Sequence, residues 1–167
     1  MTASVLLDTS FLISLVDGSR PNHRVAVRYY RLLLGQQIPM YFSAIVAAEF
    51  GVKQPITDLP LRNFRPIPFS VPHGQVAGAL WGDLNPHESG VSRRVARDDV
   101  KLIAQACHEK IPYILTEDRS TLLKYCDRLK VLERCRIHAI ALADGFDACA
   151  FNEGGQQGLD LAVDTGG

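Results

Sequence analysis

The sequence predicts an α/β domain built on a central, mostly parallel sheet. Short apolar runs of strand length alternate with segments of helical period, the order that βαβ units produce. Two of those runs also end directly in acidic and hydroxyl residues, at the strand ends where open parallel sheets receive their ligands. The 167 residues amount to one domain. A content of 47% hydrophobic and 22% charged residues is that of a soluble globular protein.

Val5-Leu6-Leu7 has the uninterrupted apolar character of a buried strand, and it stops at Asp8-Thr9-Ser10. Phe11 to Val16 begins a helix. Asn22 to Leu34 reads as a second helix, with Val25, Tyr29 and Leu32/Leu33 at helical spacing. Pro39 to Phe42 is a second strand, after which Ser43 offers an N-cap to a helix from Ala44 to Val52. Pro55, Pro60, Pro66, Pro68 and Pro72 predict a loop-rich connection holding at most short helical pieces. A helix over 71–84, a turn-rich break over 85–92 and an amphipathic helix from Asp99 to His108 follow. Pro112 to Thr116 is a third strand, ending at Glu117-Asp118. Ser120 to Leu129 is helical in pattern, and Ile137 to Leu142 is a last strand. The domain is therefore expected over residues 1–142, with an acidic, Gly-rich, flexible tail over 143–167.

The net charge of zero conceals an asymmetry. Residues 143–167 hold five acids and no Lys or Arg, which leaves 18 basic residues against 13 acids, or +5, on residues 1–142. A mildly basic body suits a polyanionic partner. No apolar run approaches the roughly 20 residues that cross a bilayer. The first residues lack a basic n-region, and Asp8 breaks the apolar stretch, so a cytoplasmic protein without membrane association is expected. Cys107, Cys126, Cys135 and Cys149 form no C-x-x-C pair, and no histidine stands at ligand spacing from them; reduced thiols are the expectation.

Four acids stand out. Asp8 follows the first strand and Asp118 a later one, so the two meet beyond the sheet if their strands are neighbours. Glu49 lies among Ile45, Val46, Ala48, Phe50 and Val52, where an unpaired carboxylate is costly. Asp99 opens a helix. Taken singly, Asp8 and Asp118 also read as turn formers and Asp99 as an N-cap. Helical geometry separates Asp99 from Asp98: Asp99 shares a face with Leu102, Ile103 and Ala106, whereas Asp98 aligns with Lys101, Leu102 and Gln105. Asp99 is expected to point inward, and Asp98 to face solvent or act as a secondary ligand. Gathered carboxylates repel one another unless a cation is bound, and hard oxygen donors without paired His or Cys select Mg²⁺ or Mn²⁺. Such a site suits phosphodiester hydrolysis. Arg93, Arg94, Arg97 and Lys101 read either as phosphate contacts or as a solvated basic face.

The segments L-L-D-T-S-F-L-I (6–13), S-A-I-V-A-A-E-F (43–50), D-D-V-K-L-I-A-Q-A (98–106) and I-L-T-E-D (114–118) together resemble the PIN-domain pattern, especially that of VapC-type toxins. The resemblance runs from about Val5 to Leu142. It implies a PIN-like three-layer sandwich with a central parallel sheet, one or two Mg²⁺ or Mn²⁺ ions in an acidic pocket, and metal-dependent cleavage of RNA. Asp8, Glu49, Asp99 and Asp118 match the family's four acidic, metal-holding positions, and Thr116 matches its small hydroxyl residue. The doubled Asp98-Asp99 departs from the pattern and leaves Asp98 a supporting role. The resemblance further implies a small antitoxin as partner and a homodimer. Two other readings stay open: a PIN nuclease for RNA processing outside toxin–antitoxin pairs, and a catalytically silent PIN-like scaffold. An aspartyl-nucleophile phosphatase is disfavoured, because that chemistry wants a second Asp at position 10, where this chain has Ser.

Overall fold

β1 (Val5–Leu7) forms the middle of the sheet because all three of its side chains are apolar and both faces can be covered; each is fully buried. This computed structural model describes residues 3–84, 93–117, 119 and 121–152. In chain order β1 is followed by α1 (Thr9–Val16), α2 (His23–Gly35), β2 (Met40–Ser43), α3 (Ala44–Lys53), β3 (Phe64–Ile67) and α4 (Val71–Leu84). Then come α5 (Arg93–His108), β4 (Tyr113–Thr116), α6 (Thr121–Val131) and β5 (His138–Ala141).

The strands lie in the order β3-β2-β1-β4-β5, and every pairing is parallel. From β1 the chain first winds outward through β2 and β3, then returns to β1's other side with β4 and β5. The boundary between β1 and β4 is therefore the topological switch point, where a crevice opens beyond the strand ends. Leu7 stands level with Leu115 there, and Asp8 N–H donates to Leu115 O at 2.9 Å. Helices α1, α2 and α3 pack as one group and α4, α5 and α6 as another, flanking the sheet. No helix among the described residues is long and apolar enough to cross a membrane.

The structure corrects two expectations. The proline-dense connection contains a strand: β3 pairs with β2 in register Phe42↔Pro66 and Ser43↔Ile67. As an edge strand it can hold Pro66, whose missing N–H costs no ladder bond on the open side. The helix bearing Asp99 begins at Arg93, six residues earlier than expected, because Ala96 continues the buried face of Val100 and Ile103 one turn further back. Asp99 is therefore not an N-cap. Ser43 does cap its helix, accepting from Ile45 N at 3.1 Å. The turn-rich segment 85–92 lies outside the described residues.

The packed chain extends past 142. A 3₁₀ turn covers Leu142–Asp144, and Gly145 has φ +88°, a backbone conformation that glycine tolerates and L side chains rarely adopt. That bend returns Phe146 and Phe151 to Tyr29, with ring centroids 4.9 and 5.9 Å away, and Phe151 is 4% exposed. Tyr29 Oη donates to Gly145 O at 3.2 Å and accepts from Asp147 N at 3.1 Å. Residues 153–167, the rest of the expected tail, lie outside the described residues.

Candidate active site

Asp8 leaves β1 in extended geometry and caps α1, taking Thr9 N–H on Oδ1 at 2.8 Å. Its Oδ2 accepts from Ser10 Oγ at 2.6 Å and from Thr116 Oγ1 at 2.9 Å, across the β1–β4 boundary. Ser10 Oγ in turn accepts Glu117 N–H at 2.9 Å, so the chain beyond β4 is tied to the carboxylate beyond β1. Burial raises the Asp8 pKa above its ordinary 3.8, against the lowering effect of the Ser10 and Thr116 hydroxyls. The carboxylate is thus oriented by three donors.

Glu49 reaches the same place from α3, and its Oε2 accepts a hydrogen bond from Thr9 Oγ1. Burial raises its pKa above 4.5; the Thr9 hydroxyl opposes this, and the negative charges of Asp8 and Asp98 add to it. Asp8, Thr9, Ser10, Glu49, Asp99 and Thr116 all line one cleft of about 460 Å³. Asp98 stands outside that lining, 25% exposed and 3.3 Å from Lys101 Nζ, although its charge still reaches Glu49. Thr116 is 2% exposed. Asp118, expected as the fourth acid, lies outside the described residues.

The structure also brings residues into the cleft that sequence reasoning missed. Glu117 accepts from Ser14 Oγ at 2.9 Å and from Arg20 Nη2 at 2.5 Å. Thr9 and Ser10 supply the orienting hydroxyls, and a run of three polar residues directly after a fully apolar strand was the available signal for them. Of the basic residues leading into Asp99, Arg94 lines the cleft and Arg97 is exposed; the Arg93 side chain lies outside the described residues. Lys53 and Arg20 add two further cations that were not foreseen.

Two other features compete for attention. A larger cavity of about 540 Å³ runs along β5 and residues 144–152, but its acids are engaged: Asp144 pairs with Arg119, and Asp147 Oδ1 accepts Cys149 N–H at 2.8 Å. His73, His108 and Glu109 bring potential metal-ligand atoms within 4.8 Å of one another. His108 is nine residues beyond Asp99 on α5, about 14 Å of helix. It therefore belongs to a different region from the acid cleft.

The chain is an α/β domain with an open parallel sheet and with carboxylates and hydroxyls at its switch point. Solved structures of VapBC2, FitAcB and VapC20 share that fold. A chain of VapBC2 from Rickettsia felis, bound to promoter DNA, superposes with TM-score 0.56 at 17% identity, over 82% of this chain and 97% of its own. FitAcB from Neisseria gonorrhoeae gives 0.59 at 19%, over 83% and 98%. VapC20 of Mycobacterium tuberculosis, a sarcin–ricin loop cleaving toxin, gives 0.52 at 18%, over 70% and 92%. No protein-family model and no curated protein matches the sequence.

Proposed function

We propose that this protein is a divalent-metal-dependent endoribonuclease and the toxin of a type II toxin–antitoxin pair. The observation that carries the reading is the convergence of Asp8, Glu49 and Asp99 on one cleft, where burial raises the pKa values of Asp8 and Glu49. The donor set consists of oxygens alone, which suits Mg²⁺ or Mn²⁺. Three of the lone-pair sites of Asp8 are taken by Thr9, Ser10 and Thr116, leaving one for an ion. In this reading Asp8, Glu49, Asp99 and Asp118 hold the ion. Thr116 fixes the rotamer of Asp8, and Asp98 adds negative potential from outside the cleft. A bound ion of this kind activates water and stabilises the charge that develops at phosphorus. The net change is hydrolysis: water oxygen bonds to phosphorus, one ribose P–O bond breaks, and the departing oxygen gains a proton. Thr9 keeps the Glu49 carboxylate facing the place where this happens.

RNA is the proposed substrate, and a small antitoxin the proposed partner. VapC20 is a loop-cleaving toxin, and the VapBC2 structure is a toxin–antitoxin assembly on DNA, which supports extending both properties to a chain of the same fold. An antitoxin Arg or Lys entering the cleft would replace the ion's charge by charge-assisted hydrogen bonds. A homodimer and a cytoplasmic location belong to the same proposal. The test is cleavage of RNA by the purified protein. Wild type with Mg²⁺ or Mn²⁺ should cut, whereas EDTA or Asp8→Asn should abolish cutting. Expression alone should arrest growth, and co-expression of the adjacent small gene should restore it. Cleavage with no growth defect in the native host would move the protein to RNA processing; an inactive wild type with metal present would sink the ribonuclease reading.

A further inference from the structure

Arg20 occupies the turn between α1 and α2, and its backbone is tightly set. Asp17 Oδ1 accepts Ser19 N–H at 2.9 Å and Ser19 Oγ at 2.6 Å, while Arg20 N–H donates to Asp17 O at 3.1 Å. From that turn the side chain reaches Glu117, one residue beyond β4. Glu117 is 13% exposed and held on its other oxygen by Ser14, whereas Arg20 is 40% exposed and lines the cleft. The pair is coupled to the acids through covalent and hydrogen bonds: Glu117 N–H donates to Ser10 Oγ, whose own hydrogen goes to Asp8 Oδ2.

Glu117 does not exhaust the guanidinium. Of its five N–H donors, one is given to Glu117, and the Nε–H is buried with no partner among the described residues. That Nε–H is closed off from the cleft, but the side chain as a whole is 40% exposed along the cleft lining, which leaves part of the guanidinium open to a ligand. The cleft must also admit a polyanion past three carboxylates, which requires a cation fixed at short range. A planar fork matches two non-bridging phosphate oxygens, and a fork anchored by an ion pair on its far side loses little freedom on binding.

We infer that Arg20 is a phosphate-binding guanidinium of the cleft, and that Glu117 is the positioning residue that aims it at an RNA phosphodiester. This rests on the ribonuclease reading for its substrate, and two independent readouts separate the two claims. The first is affinity for a short 2′-O-methyl RNA by fluorescence anisotropy. Arg20→Ala should weaken binding and reduce the slope of log affinity against log salt by about 0.7, the share of one single-strand phosphate contact. The second is cleavage kinetics. Arg20→Ala should lower kcat/KM about 100-fold, with Arg20→Lys and Glu117→Gln each intermediate. Added guanidinium ion should restore part of the Arg20→Ala activity, which the loss of a purely structural ion pair would not allow. Unchanged RNA affinity and salt slope in Arg20→Ala overturns the inference, as does a rate loss that guanidinium leaves untouched and that follows a fall in melting temperature. An inactive wild type that still binds RNA through Arg20 would leave the phosphate assignment standing and remove only the ribonuclease reading.

Discussion

The acid cleft and the His73–His108–Glu109 cluster hold similar kinds of ligand residues, yet their chemistry is opposite. In the histidine cluster the lone pair of the His73 ring is spent. Ser70 N–H donates to His73 Nδ1 at 3.0 Å, so the ring proton sits on Nε2 and is given to Glu109 Oε1 at 2.7 Å. His73 is the third residue of α4 and returns to the residue before the helix, as Glu or Gln does in a capping box. A ring fixed in that tautomer has no nitrogen left for an ion. In the cleft, by contrast, donors orient Asp8 and Glu49 without neutralising them, and both pKa values are raised. The difference teaches that proximity of ligand residues alone does not make a metal site, because a ring committed on both nitrogens has no lone pair to offer.

The sharpest way to break this comparison is by activity. Asp99→Asn should reduce RNA cleavage by about a hundredfold or more, Asp98→Asn by only a few-fold, and His108→Ala not measurably. Loss of activity in His108→Ala would transfer the metal to the histidine cluster. A dominant effect of Asp98 over Asp99 would reverse the assignment of inward and outward faces on α5.

Melting experiments sharpen it next. Divalent metal at about 100 times its dissociation constant stabilises a native state by about 2.7 kcal/mol, and in a domain of this length that raises Tm by roughly 5–10 °C. Wild type and Glu109→Gln should share the shift, and Asp8→Asn should lose it. Equal midpoints with and without metal in the wild type would remove the ion from the cleft.

The smallest effect concerns the ion-free protein. A carboxyl whose folded pKa is raised contributes its stability fully below the unfolded value, and that contribution is lost as pH rises through the folded value. In EDTA at neutral pH, Asp8→Asn should therefore melt a few degrees above wild type, and the gap should close as pH falls below the ordinary carboxyl range. A variant less stable than wild type at neutral pH would mean that the hydroxyl and N–H bonds to Asp8 outweigh its desolvation.

Legibility followed the range of the interaction. The apolar runs, the helical periods and the acids beyond Leu7 and on α3 and α5 are local patterns, and they were readable residue by residue. β3 was hidden because proline statistics describe interior strands, whereas an edge strand needs donors on one side only. The true start of α5 was obscured by four Arg and Lys residues around Ala96 and Val100. Glu117 and Arg20 are 97 residues apart, and no spacing rule joins residues across a sheet before its strand order is known. Phe146 and Phe151 stand in a Gly- and Asp-rich context that suggests a loose tail, and only their landing on Tyr29 reveals that they close the core.

The strand order also sets a timetable. β1 and the Asp8 that follows it are made early, but β1's neighbour on the side of the cleft is β4, which ends more than a hundred residues later, at Thr116. Chains fold from the N-terminus as they emerge, so a nascent chain can pair β1, β2 and β3 and still lack the hydroxyl and the strand that orient Asp8. The cleft is completed only once β4 exists, and the Tyr29 clamp closes later still, at Phe151. A chain cut short before residue 113 would carry Asp8, Glu49 and Asp99 without the β4 strand that aligns Asp8.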